Sequence, residues 1–187
     1  MLRKHGGVAL LLAVLDATPD TRVHEHAAGL LAHVAATGPR LAVKMAARGG
    51  AVGLVRVLPA LLRASKSRGS ADDRAVPAAV AALADLAPHD AKNMAEAARA
   101  ASVLLPLLAY AGECHAQKAL AAALRVLAAT AALPANAAVL SAGGAVALAL
   151  RAVANHCLPA TPAVLDPALA FLDNLVWCVL SMLCRGV

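Results

Sequence analysis

Aromatic residues are almost missing from this chain: one Phe (Phe171), one Tyr (Tyr110) and one Trp (Trp177) in 187 residues. Sheets are built from β-branched and aromatic residues in alternating order, so this scarcity argues against a β protein. Cysteine is scarce too. Four of them (Cys114, Cys157, Cys178, Cys184) do not make a disulfide scaffold, and a reducing, cytoplasmic setting is expected. The motifs of common enzymes are also lacking: no G-x-S-x-G, no Walker loop, no H-E-x-x-H and no dinucleotide fingerprint. Acidic residues are few and scattered, so the chain is expected to be no enzyme and to need no cofactor.

What is present is Ala, Leu and Val, which supply most of a hydrophobic fraction of 61%. Ala and Leu are the strongest helix formers, and ten prolines cut the sequence into short pieces. The composition is that of an all-helical protein. The net charge of +6 is one-sided: residues 1–74 hold 11 Lys/Arg against 5 Asp/Glu, while residues 75–187 hold 6 of each. Any partner attracted by positive charge is therefore expected on the first 74 residues.

Two stretches raise a membrane question. "MLRKHGGVALLLAVLDA" has the basic start and apolar run of a signal peptide, but Asp16 follows at once and no small-x-small cleavage site is visible. The uncharged run Val126–Leu150 is long enough to span a bilayer, which takes about 20 residues. Pro134 and Gly143-Gly144 interrupt it, and its apolarity is mostly Ala. Both stretches read better as ordinary helices of a soluble array.

The sequence repeats itself. "GGAV" occurs at 49–52 and again at 143–146, and aligning on that joint gives starts at Gly6, Gly49, Ala100 and Gly143, spaced 43, 51 and 43. The long middle interval contains "RASKSRGSADDR" (63–74), which reads as a loop insertion. After each joint comes a short apolar helix, then a polar break such as "DATPDT" (16–21) or "AGECH" (111–115). A longer helix follows with a recurring core signature: "LAHVA" (31–35), "LADLA" (83–87), "LRVLA" (124–128) and "LDNLV" (172–176). From the first Leu of a signature to the next joint is 18, 17 and 19 residues, a phase that chance composition does not hold. Such helix pairs cannot bury their apolar stripes alone and must stack on neighbours of the same shape. Glycines at the joint would allow left-handed backbone and close approach of one helix to the next.

The stretch "VHEHAAGLLAHVAATGPRLAVKMAARGGAVGLVRVL" (23–58) resembles an armadillo repeat: a long third helix, a short first helix, then a second helix opening on glycine. Units beginning near 59, 110 and 153 follow the same plan, so the resemblance covers nearly the whole chain. It implies a single domain over 1–187, a right-handed α-solenoid of about four armadillo-type repeats, and a segment of a longer array. In that family the third helices line a concave groove, where an Asn near each helix end holds the main chain of an extended peptide. The matching positions here are His33, Asp85, Val126 and Asn174, of which only Asn174 keeps the amide. A Trp lies one turn earlier in the nuclear-import adaptors; Gly29, Ala81, Ala122 and Ala170 stand there instead, which argues against recognition of basic localisation peptides. His26 shares a helix with His33 and joins the groove set of His26, His33, Asp85 and Asn174.

Arg40, Lys44 and Arg48, at i, i+4 and i+8, are expected to form one positive stripe on the helix before Gly49. The stripe could meet an acidic protein, an anionic membrane surface or nucleic-acid phosphates, with a solvated helix face as the plainer reading; without interleaved aromatics, base stacking is not expected. Cys114-His115 and Cys157-His156 supply the right elements for zinc, but adjacent pairs lack ligand spacing, and no metal is expected. His24 and His26 face opposite sides of a helix and cannot share an ion. The sequence thus points to a non-enzymatic protein-interaction scaffold. A structural segment of a cytoskeletal or trafficking assembly is the second reading, and a membrane-associated helical protein the third.

Overall fold

The computed structural model describes residues 6–68, 75–89, 106, 117–156 and 162–185. No strand occurs among them. The helices are α1 (Gly7–Ala17), α2 (Thr21–Ala36), α3 (Pro39–Ala46), α4 (Gly50–Arg68) and α5 (Ala75–Leu86), which runs into a 3₁₀ turn at Ala87–His89. There follow α6 (Gln117–Ala131), α7 (Pro134–Ala142), α8 (Ala145–His156) and α9 (Pro162–Arg185). The chain divides into two compact units, Met1–Asn93 and Met94–Val187.

In the first unit each boundary has a local cause. Gly6 opens α1 at φ 70, a left-handed conformation that costs a residue with a Cβ, and its carbonyl accepts the Leu10 N–H at 3.0 Å. Thr18 is extended ahead of Pro19, as the residue before a proline tends to be, and α1 stops there. Asp20 caps α2, its Oδ1 accepting the Arg22 N–H at 2.9 Å. Pro39 starts α3 at a position where a missing N–H costs nothing.

The joint between α3 and α4 divides the work between two glycines. Gly49 takes φ 78 and accepts the Gly53 N–H at 3.0 Å, and the chain turns by 79° from α3 into α4. Gly50 leaves room for the end of α3: a Cβ there would lie 2.9 Å from the Met45 carbonyl oxygen. α5 packs along α2 and α4. The core between them is Leu31, Met45, Leu54, Leu58, Leu61, Leu83 and Leu86, all fully buried. Burying each such side chain contributes about 1.5–3 kcal/mol, so the leucines carry the stability and the alanines set the spacing.

Residues 63–68, expected as the start of a loop insertion, instead continue α4 to Arg68. Ala, Ser, Lys and Arg do not break a helix once leucines upstream anchor it. Residues 69–74 of that stretch lie outside the described residues, as do the third joint at Ala100 and the "AGECH" break.

The second unit replays the same order. α6 is long, α7 short and opened by Pro134, and α8 starts after a glycine joint. Gly144 takes φ 78 and accepts the Leu148 N–H at 3.2 Å, matching Gly49 in both respects. Gly143 ends α7 at φ −76 and does not adopt the special conformation. Pro39 and Pro134, and Gly49 and Gly144, are each 95 residues apart, one more than the "GGAV" alignment gives. The left-handed glycine follows its proline by ten residues in both units, so it is the glycine pair that begins one residue earlier in the second: α7 has nine residues and a two-residue turn, α3 eight and a three-residue one. α9 lies chiefly along α6, burying Phe171 against a core that includes Leu120, Leu124 and Leu127.

Among the described residues no single helix is long and apolar enough to cross a membrane. α3 and α4 meet the requirements of length and composition only together, as the pair bent by 79°. The Val126–Leu150 run is divided between α6, α7 and α8.

Candidate partner-binding face

His26 and His33 lie on α2 at i and i+7, with Leu30 between them at i+4, and all three are exposed on one side of the helix. The opposite side carries His24, only 6% exposed. Its Nε2 donates to the Thr18 carbonyl oxygen at 2.6 Å, which fixes the turn from α1 into α2. Nδ1 is buried and has no hydrogen-bond partner. The opposed orientation of His24 and His26 expected from their spacing is what the helix shows.

α3 continues the exposed surface in sequence. Arg40 and Lys44 are exposed one turn apart, with Val43 exposed beside them. An open cleft of about 360 Å³ is lined by Arg40, Leu41, Val43 and Lys44. Arg48 is exposed but does not complete a helical stripe: α3 ends at Ala46, and Arg48 lies in the turn leading to Gly49, its N–H donating to the Met45 carbonyl at 3.1 Å. The left-handed joint forces that early end. Among the described residues the one ion pair is Arg56–Asp16, on α4 and α1, so it leaves the charges of Arg40, Lys44 and Arg48 unbalanced by a carboxylate.

Asp85, at the end of α5, is half-buried in the same unit. Asn174 belongs to the other unit, and its amide has a structural partner. Nδ2 donates to the Ala128 carbonyl oxygen at 2.9 Å, across from α9 to α6. One turn further along α9, the Cys178 thiol donates to the Ala131 carbonyl at 3.4 Å. Both acceptors lie in the last turn of α6, where carbonyls have no following helical N–H to receive. Asn174 and Cys178 together close the end of α6. Val126, the third position of the amide series, is buried.

No group of three or more His, Cys, Asp and Glu residues that could hold a metal occurs among the described residues. Cys114, His115, Cys157 and the side chain of His156 lie outside them. The described surface offers charge, imidazoles and apolar contact on α2 and α3.

These features define a helical-repeat protein with an exposed, basic face on α2 and α3. Over residues 1–179 the chain matches the family model described as CCP1-like, N-terminal TPR repeats, and it belongs to that family. The armadillo resemblance read from the sequence is met at the level of a helical repeat, and the family that matches is a TPR one. No curated protein and no solved structure matches the chain.

Proposed function

We propose that this chain is a non-enzymatic, cytoplasmic protein-binding module that takes an acidic segment of a partner protein on the α2–α3 face of its first unit. TPR repeats generally mediate protein–protein interaction, which supports the class. The particular face is carried by one observation: Arg40 and Lys44 flank exposed Val43 beside a cleft, with no described carboxylate to balance them. Uncompensated cations beside apolar surface favour a ligand that brings both carboxylates and apolar side chains. His26, Leu30 and His33 extend the face along α2, and Asp85 contributes nothing to attraction of an acidic ligand.

The long–short–long order of α2, α3 and α4, repeated in α6, α7 and α8, supports a three-helix unit of the armadillo kind within this helical-repeat family. On that plan the ligand would lie along a groove lined by the long helices. The role of Asn174 on α6 argues for recognition by charge and side-chain contact on the first unit, and against an amide ladder gripping a peptide main chain.

The test is a titration of a fluorescent Leu/Glu peptide. Arg40→Glu with Lys44→Glu is expected to weaken binding by at least about tenfold, since two close charge contacts are lost. Arg151→Glu, on the exposed side of α8 in the other unit, should leave binding unchanged. Equal binding by all three proteins would overturn the assignment.

A further inference from the structure

We infer that the outer face of α9 is a docking site for a partner protein's amphipathic helix whose apolar seam is flanked by Lys or Arg. Leu169 (62% exposed), Val176 (57%) and Leu180 (51%) fall at i, i+7 and i+11, one straight line along the helix. Trp177, the only tryptophan in the chain, stands next to that line and is 73% exposed. The opposite side of α9 already packs on α6, so this second seam is additional to the one that holds the unit together.

The internal repeat supplies a control. At the 95-residue offset set by the two prolines and the two left-handed glycines, α9 falls on α5. Inward positions agree: Val76 with Phe171, Val80 with Leu175 and Leu83 with Cys178, all buried. Three further positions do not agree. Ala81 and Asp85 on α5 are half-buried and Ala82 is fully buried, whereas Val176, Trp177 and Leu180 at the same positions of α9 are exposed. Where α5 keeps two small residues and one charge at least partly covered, α9 presents large apolar side chains to solvent. Exposed Trp beside aliphatic residues is the composition of interface anchors.

The rim specifies the occupant. Asp166 and Asp173, seven residues apart, run beside the apolar line on the same side as Trp177, and both are exposed. Neither takes part in the one ion pair found among the described residues, and no Lys or Arg is exposed among the described side chains of α9. A cationic flank on the arriving helix would meet both carboxylates while its seam covers Leu169, Val176 and Leu180. A straight apolar line on a helix is matched by the ridge of another helix.

Trp177 makes the test direct, because it is the sole source of tryptophan emission. The probe is a synthetic amphipathic peptide of about four to five helical turns with a Leu seam and Lys flanks. It should shift the emission to the blue and saturate, while the same peptide with Glu flanks should give no shift. Asp166→Lys with Asp173→Lys should reverse the preference between the two peptides. Val176→Glu, or separately Leu169→Glu, should weaken the Lys peptide by about tenfold or more with circular dichroism unchanged. No shift with the Lys peptide, or equal shifts with both, would overturn the proposal. So would a blue shift that grows with protein concentration alone, which would make a second copy of the chain the occupant.

Discussion

The long helices α2 and α6 occupy the same place in the two units, yet their last turns are closed by different means. In the first unit the His33 carbonyl accepts the hydroxyl of Thr37, four residues on, at 2.7 Å and in contact with solvent. In the second, the carbonyl 95 residues later, that of Ala128, accepts the amide of Asn174 from another helix, and Cys178 serves Ala131. A local, exposed device in one unit is replaced by a long-range, partly buried one in the other. The end of α6 is therefore tied to the position of α9, whereas the end of α2 depends on itself. A residue type associated with ligand binding is here part of the packing.

That contrast can be broken by substitution. The largest effect is expected from the core pair Phe171 and Val76, which occupy equivalent buried positions. Phe171→Ala should cost about 3–5 kcal/mol through lost burial and a cavity, measured by denaturant unfolding. Val76→Ala should cost roughly 1.5–2 kcal/mol, in proportion to the carbons removed.

Next come the helix closures. Asn174→Ala should lower stability by about 1–3 kcal/mol, because the Ala128 carbonyl is left without its donor. Asn174→Asp should be worse, since a carboxylate presents an acceptor to an acceptor. Thr37→Ala, whose carbonyl partner can turn to water, should cost no more than roughly 0.5–1 kcal/mol.

The glycine joints come third, and they sharpen the comparison. Gly49→Ala and Gly144→Ala should each cost about 1–2 kcal/mol, the left-handed penalty, because a Cβ meets nothing within 4 Å at either site. Gly50→Ala should be destabilising for a different reason, the Met45 carbonyl 2.9 Å from its Cβ. The equivalent position in the second unit is already Ala145, which is buried without such a requirement. Thermal melts of the three variants would separate strain from collision. The smallest effect belongs to Asp16→Asn: its ion pair with Arg56 is more than half exposed on both sides, and its loss should cost less than about 0.5 kcal/mol.

Much of this architecture was legible in the sequence because it rests on local causes. Glycine pairs and prolines mark helix boundaries by dihedral restriction, and their positions named the joints at Gly6 and Gly49 and the break near Pro134. The spacing of His24 and His26 gave their opposed faces from helical geometry alone. What failed to show was set by tertiary context. The 63–68 stretch looks like a loop by composition, but leucines upstream extend α4 through it. Gly144 rather than Gly143 takes the left-handed turn because that turn falls ten residues after the opening proline in both units, while the glycine pair begins one residue earlier in the second, which identical letters conceal. Arg48 falls off the helical stripe because the joint needs three turn residues before Gly49's successor. The partner of Asn174 lies 46 residues away in sequence, a pairing that only the packing of α9 on α6 creates.

The account gives Asn174 to architecture and the acidic-peptide face to the first unit, and one pair of readouts on Asn174→Ala tests that separation. The melting temperature should fall while affinity for the acidic Leu/Glu peptide, measured below the melt, stays at the wild-type value. A variant of unchanged stability that has lost the peptide would contradict the account and return Asn174 to the binding site.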